Sequence, residues 1–375
     1  MRRLLAVAAV AAALTSAFAG ARAASAAVGP APLLAYYYIW FDATSWTRAK
    51  RDFPLVGRYS SDQRGVMATQ VSEARRAGID GFIVSWKHTP TLDRRLSTLI
   101  SVAARQHFKL AVIYEGLDFH RNPLSEQRVA SDLSYFATHF AHYKVFQLYD
   151  KPLVIWSGTW RFSPDQVEAA AGPVRSKLLV LASEKNVAGY ERVAPFVDGD
   201  AYYWSSVNPD TYPNYPGKLD AMSAAVHARS GLWIAPAAPG FDARLIGGTT
   251  VVPRRGGATL RRELGAALAS GPDAIGLISW NEWTENSEVE PSVRYGYRSL
   301  RVIAAFRGVA DRFPSTVDSS EGAGGGKSYG PAVLIALAVL AFAVVVGVAR
   351  RTRAGPAPGG AGPRTLSGRR RTRSP

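Results

Sequence analysis

Cysteine is absent from the 375-residue chain, which excludes disulfide staples, thiolate zinc sites and a cysteine nucleophile. Histidine is scarce, with six in all, and no two sit four apart on a predicted helix, so a catalytic zinc site is not indicated. Neither a G-x-G-x-x-G fingerprint nor a P-loop occurs, which argues against a nucleotide cofactor. No self-similarity recurs at the ~20 to 50 residue periods of solenoids. We therefore expect no cofactor and no metal. Charge is missing from Pro331 to Ala349, an apolar run long enough to cross a ~30 Å hydrocarbon layer as a helix. Acidic residues are missing from everything after it.

What is present at the two ends fits that picture. Met1-Arg-Arg3, the Ala/Val/Leu-rich stretch to Ala19 and the small residues up to Ala27 are built like a secretory signal. Arg350, Arg351, Arg353, Arg364, Arg369, Arg370, Arg371 and Arg373 follow the apolar run, the arrangement that stays on the cytoplasmic side of a membrane. These eight arginines with Arg2, Arg3 and Arg22 account for most of the net charge of +16, leaving about +5 for the middle of the chain. Nucleic acid is not the expected partner. The expected organisation is a signal peptide (1–27), a catalytic domain (28–316), a Gly/Ser-rich spacer (317–330), a transmembrane helix (331–349) and a basic cytoplasmic tail (350–375). The protein is then a single-pass membrane protein and a monomer, its globular part outside the cytoplasm.

Between Val28 and Phe313 short apolar runs alternate with longer amphipathic stretches, the pattern of parallel strands and crossover helices. Eight pairs can be counted. The predicted strands are Leu33 to Trp40, Gly81 to Trp86, Lys109 to Glu115, Pro152 to Trp156, Leu178 to Ser183, Gly199 to Trp204, Leu232 to Pro236 and Ile275 to Trp280. Helices are predicted over Gly65 to Ala77, Leu92 to Gln106, Ser125 to His142 and Thr259 to Ser270, among others. The count and the span, close to the ~250 residues of a (β/α)8 TIM barrel, favour that α/β fold over an open doubly wound sheet.

In such a barrel the active site lies at the C-terminal ends of the strands, so unusual residues there carry weight. Here those ends carry Tyr38 and Trp40, Trp86, Glu115, Tyr203 and Trp204, and the segment Trp280-Asn-Glu-Trp-Thr-Glu285. Flat rings offer apolar faces to the C–H faces of sugars, and neighbouring carboxylates and amides bond the hydroxyls. An oligo- or polysaccharide is the expected substrate. Glu282 and Glu285 lie three apart in a predicted loop, which brings both carboxyls to one side. That fits the roughly 5 to 5.5 Å separation of retaining glycosidases better than the roughly 6.5 to 9.5 Å of inverting ones. Both are read as catalytic, with Glu115, Tyr38, Trp40, Trp86, Tyr203, Trp204, Asp242, Asn281 and Trp283 as substrate-binding residues. The bland reading, solvated loop charges, is kept for Glu288 and Glu290.

Five motifs, Ala35-Tyr-Tyr-Tyr-Ile-Trp40, Gly57-Arg-Tyr-Ser60, Ala77-Gly-Ile-Asp-Gly-Phe-Ile-Val-Ser-Trp86, Ala238-Pro-Gly-Phe-Asp242 and Ile278-Ser-Trp-Asn-Glu-Trp-Thr-Glu285, make the sequence resemble glycoside hydrolase family 99, the endo-α-mannosidase type. The resemblance implies that Glu282 deprotonates the sugar 2-hydroxyl to form a 1,2-anhydro sugar and that Glu285 is the general acid/base. Glu115 matches the family's substrate-holding glutamate. The usual family motif is Asn-Glu-Trp-His-Glu-Gly, whereas this chain has Thr284 and Asn286, and Lys87-His88 follow the second strand where another aromatic is common. Two other classes compete: a transglycosylase or transferase-like enzyme of envelope polysaccharide assembly, and a non-catalytic glycan-binding protein. The latter has no need for both glutamates.

Overall fold

The computed structural model describes residues 31–314. The signal peptide, spacer, transmembrane and tail expectations lie outside them, and among the described residues no helix is long and apolar enough to cross a membrane.

Among the described residues ten strands run in chain order: β1 (Leu33–Tyr38), β2 (Gly81–Trp86), β3 (Lys109–Glu115), β4 (Leu153–Ser157), β5 (Leu179–Leu181), β6 (Gly199–Ala201), β7 (Leu232–Ala237), β8 (Phe241–Asp242), β9 (Val251–Val252) and β10 (Ala274–Leu277). Eight of them form one parallel sheet in the order β5-β4-β3-β2-β1-β10-β7-β6. The open edge is joined by a parallel bridge between Ala182 and Asp200, with Ala201 N–H donating to the Ala182 carbonyl at 2.9 Å, so the sheet closes on itself. This short seam leaves the barrel nearly closed. Glycine is required where β6 starts: Gly199 has φ 149, and a Cβ there would lie 2.1 Å from the Leu232 carbonyl oxygen.

Eight α-helices among the described residues form the outer layer: α1 (Arg64–Arg76), α2 (Pro90–Arg105), α3 (Glu126–His139), α4 (Pro164–Ala171), α5 (Val187–Val193), α6 (Tyr215–Ala228), α7 (Ala258–Ala269) and α8 (Arg298–Arg307). Several of their starts are set by side-chain caps, although α1, α7 and α8 begin without one. Thr89 caps α2 ahead of Pro90, Ser125 caps α3, and Ser163 with Gln166 forms a capping box on α4.

Strand periodicity sorts the core into two shells. Leu34, Tyr36, Tyr38, Ile83, Ala111, Ile113, Leu153, Ile155, Ile234 and Ile278 fill the barrel interior. Leu33, Ala35, Tyr37, Phe82, Val84, Trp86, Tyr114, Trp156, Trp233 and Trp280 face the helices. The predicted strand ends were too long at β1, β5, β6 and β10, where the chain leaves the ladder to build the mouth loops. The β8–β9 hairpin, absent from the sequence reading, is an insertion in the β7–α7 connection.

Candidate active site

Inward-facing positions at the strand ends determine which polar groups reach the mouth. Tyr38 ends β1 opposite Ser85 of β2, and Glu115 ends β3 opposite Ser157 of β4. The Ser85 hydroxyl donates to Glu115 Oε1 at 2.8 Å. Tyr203 continues the inward row of Ala201, and its hydroxyl meets that of Tyr38 at 2.5 Å.

The segment after β10 is a loop tied at both ends. Ser279 N–H donates to the Ser287 carbonyl at 2.8 Å, Val289 N–H to the Ser279 carbonyl at 2.8 Å and Glu290 N–H to the Trp280 carbonyl at 2.9 Å. At its centre Glu282 N–H donates to Ser279 Oγ at 2.7 Å. The hairpin holds the far side, with Asp242 N–H donating to the Glu285 carbonyl at 2.7 Å. Asn286 sits at φ 50, in the left-handed region open to glycine and, among side-chain residues, best tolerated by asparagine. The departure from the family's glycine is thus conservative for the backbone.

The two motif glutamates have unequal surroundings. Glu282 is buried, and its Oε1 accepts from Thr284 N–H at 3.0 Å and from the Thr284 hydroxyl. Burial raises its carboxyl, while the Thr284 donors and the Lys50 charge pull it back. Half-buried Glu285 has one long contact, from Ser205 Oγ at 3.4 Å. Burial and then the Glu282 charge push it up to about 8, against the opposing pull of Arg121. Glu115 is raised by burial, with Ser85 and Lys87 opposing. The Tyr38 phenol is held well above its usual range by burial, then by Tyr203 and the carboxylates of Glu282, Glu285 and Glu115. Tyr38 is therefore within electrostatic reach of all three acids.

Several expected sugar contacts are placed elsewhere. Trp86 occupies an outward position of β2, and Trp204 lies three residues past the end of β6. Trp86 is fully buried against Phe136 and Phe140 and donates to Asp93 at 2.9 Å; Trp204 packs on Tyr202 and Tyr212 beneath the Lys218 ammonium. Neither ring faces the barrel mouth, because the period-two alternation that brings Ser85 and Tyr203 inward turns their neighbours outward. Trp283 is buried edge-to-face against Trp46, with ring centroids 6.2 Å apart. Both ends of the Asn281 carboxamide are taken by Tyr38 backbone groups. Asp242 is clamped by Arg244 at 2.6 Å and Arg51 at 2.8 Å, which hold its carboxyl down to about 2. Trp40, by contrast, is 43% exposed and leans on Tyr38 with ring centroids 4.4 Å apart.

Other functional candidates were missed. Glu290 is buried, accepting from Tyr59 Oη at 2.9 Å and Gln70 Nε2 at 2.6 Å, and Tyr59 in turn accepts from Asn281 Nδ2 at 3.1 Å. Glu288 is buried beside Arg254 at 2.7 Å. Both were read as solvated charges. The only sequence signal was their company with Val289 in an otherwise polar run.

The sequence matches the profile of Glycosyl hydrolase family 99 over residues 47–305. It is similar to the glycoprotein endo-alpha-1,2-mannosidases of Rattus norvegicus, 22% identical over 263 residues, and Mus musculus, 23% identical over 264 residues. Each alignment covers 64% of this chain and 56% of the relative, so the chain spans about half the length of these relatives. Among solved structures, the GH99 endo-alpha-mannosidase of Bacteroides thetaiotaomicron superposes with a TM-score of 0.64 at 21% identity, covering 74% of this chain and 97% of that one. A glycoside hydrolase-like protein follows at a TM-score of 0.55 and 15% identity, covering 75% of this chain and 95% of that one. At those identities the superpositions speak for the barrel fold, while the profile covers most of the chain and the strand-end glutamates with it. The chain belongs to glycosyl hydrolase family 99.

Proposed function

We propose that the protein is a glycoside hydrolase that cleaves an α-linked, mannoside-like glycan with retention, using Glu282 as base and Glu285 as acid and then base. The carrying observation is the unequal donor set on the two glutamates. Two Thr284 donors favour ionised Glu282, whereas Glu285, near 8 and almost without donors, enters the reaction protonated.

The chemistry follows from those states. Glu282 takes the proton of the sugar 2-hydroxyl, and the resulting oxygen attacks the anomeric carbon as Glu285 protonates the departing glycosidic oxygen. A 1,2-anhydro sugar and a free leaving group result. Water, deprotonated by the Glu285 carboxylate, then opens the three-membered ring at the anomeric carbon while Glu282 returns its proton to the 2-oxygen. Two inversions give net retention. Glu115 is assigned to a substrate hydroxyl, Tyr38 and Tyr203 to the sugar between the acids, and exposed Trp40 to a ring face.

The test is incubation with α-mannan and with labelled envelope glycan, scoring new reducing ends against newly joined chains. Reducing ends of the α-configuration are expected. Joined chains would replace hydrolysis by transglycosylation, and tight binding without any bond change would reduce the protein to a glycan-binding module.

We also propose that the barrel is held outside the cell membrane by the helix of residues 331–349, supported by its lack of charge and by the arginines after it. Activity on intact cells is expected; activity only after lysis reverses the orientation.

A further inference from the structure

The position between the two glutamates is where this chain departs from the related motif, with Thr284 in place of histidine. Its side chain does not point to a neighbouring helix or to bulk solvent. It turns back two residues and donates to Glu282, and its own amide donates to the same oxygen, Oε1, at 3.0 Å. The backbone that carries the carboxylate is held as well, since Glu282 N–H donates to Ser279 Oγ at 2.7 Å and Ser279 Oγ lies 3.2 Å from Ser287 Oγ. Two Thr284 donors converge on one oxygen, with the Glu285 backbone amide also acting on the carboxylate, and together they restrict its rotation.

We propose that Thr284 is a positioning residue that saturates Oε1 of Glu282 and so presents Oε2 as the atom that accepts the sugar 2-hydroxyl proton. This rests on the reading of Glu282 as base. Threonine suits the task because a β-branched side chain is stiff about χ1, so its hydroxyl stays on target between turnovers. Removing the hydroxyl loses a charge-assisted hydrogen bond to the anion and frees the carboxylate to turn. The ground state binds sugar as before; the proton transfer does not.

The experiment compares Thr284→Val, Thr284→Ala and Thr284→Ser with the parent, each checked by thermal melting. Val and Ala are expected to lower kcat by roughly 10- to 100-fold, the size of one hydrogen bond to a charged group, with KM nearly unchanged. The acid limb of the kcat/KM profile should move up by about one pH unit in both, because the anion has lost a donor. Thr284→Ser should restore both quantities most of the way. Parent-like kcat and acid limb in Val and Ala overturn the proposal. So does a loss that Ser fails to repair, since that marks packing. Glu282→Gln run alongside separates the two readings: turnover persisting there removes the base assignment itself, whatever the Thr284 variants do.

Discussion

Asn281 grips Tyr38 through both backbone groups: Tyr38 N–H donates to Asn281 Oδ1 at 2.8 Å, and Asn281 Nδ2 donates to the Tyr38 carbonyl at 3.0 Å. The pair extends the β1–β10 contact beyond its last register pair, Ala35 with Leu277, using a side chain where the backbone has turned away into the loop after β10. It thereby fixes Glu282, the next residue, against the end of β1. Asn281→Ala leaves two buried backbone groups unpaired, at a cost of about 2 to 4 kcal/mol. A lower melting temperature and loss of most activity are expected; a parent-like melting curve would contradict the clamp.

Replacing either motif glutamate by glutamine keeps shape and removes proton transfer, for which such groups contribute ~10² to 10⁴-fold. Both variants should lose activity in that range while still binding substrate. Glu285→Gln should recover much of its rate on a glycoside with a good leaving group, because the missing proton is then not needed. Equal losses on poor and good leaving groups would take the acid role from Glu285.

The buried acids set a pH dependence with a definite sign. Glu290 is pushed by burial to about 8, against hydrogen bonds from Gln70 and Tyr59; burial takes Glu288 to about 7 against Arg254. Burial and Glu282 hold Glu285 near 8. A carboxyl raised in the folded state binds its proton more tightly than the unfolded chain does, so its contribution is complete below the unfolded value of 4.5 and is lost as pH rises through 7 to 8. Melting temperature should therefore fall across that interval, less steeply in Glu290→Gln. The kcat/KM profile should show a basic limb near 8 from Glu285. A melting temperature that climbs over the same interval would show these acids to be ionised throughout.

Two tryptophans that look alike in the sequence should separate cleanly. Trp40→Ala is expected to raise KM by roughly 2- to 10-fold, the range of one aromatic contact. Trp86→Phe should leave KM alone and lower stability by about 1 kcal/mol through loss of the bond to Asp93. A KM effect at Trp86 would require that its ring reach the mouth.

Neighbouring-group chemistry demands the 2-hydroxyl. Given a matched pair of α-glycosides differing only at C2, the 2-deoxy compound should not turn over. Comparable rates would assign a direct carboxylate nucleophile instead.

Much of this was open to reading in one dimension. Eight short apolar strands alternating with helices imply a parallel barrel, because only strands buried on both faces are apolar throughout, and β2 and β3 matched the predicted limits residue for residue. The barrel in turn marks strand ends as the place for chemistry, which drew attention to Glu115, Glu282 and Glu285. Tertiary structure decided which way each of those residues faces. A one-residue step along the chain carries a side chain from the barrel interior to the helix layer: just past β6, Tyr203 packs with the interior cluster and Trp204 with the outer one. It also decided protonation. Glu285 and Glu290 are both glutamates in one polar loop, and nothing in their order shows that the fold buries one beneath Tyr59 and leaves the other half-open beside Glu282. Local pattern fixes what a backbone can form and supplies the Thr284 donors on Glu282, but the Gln70 and Tyr59 donors on Glu290 lie 220 and 231 residues away along the chain, and only folding brings those together.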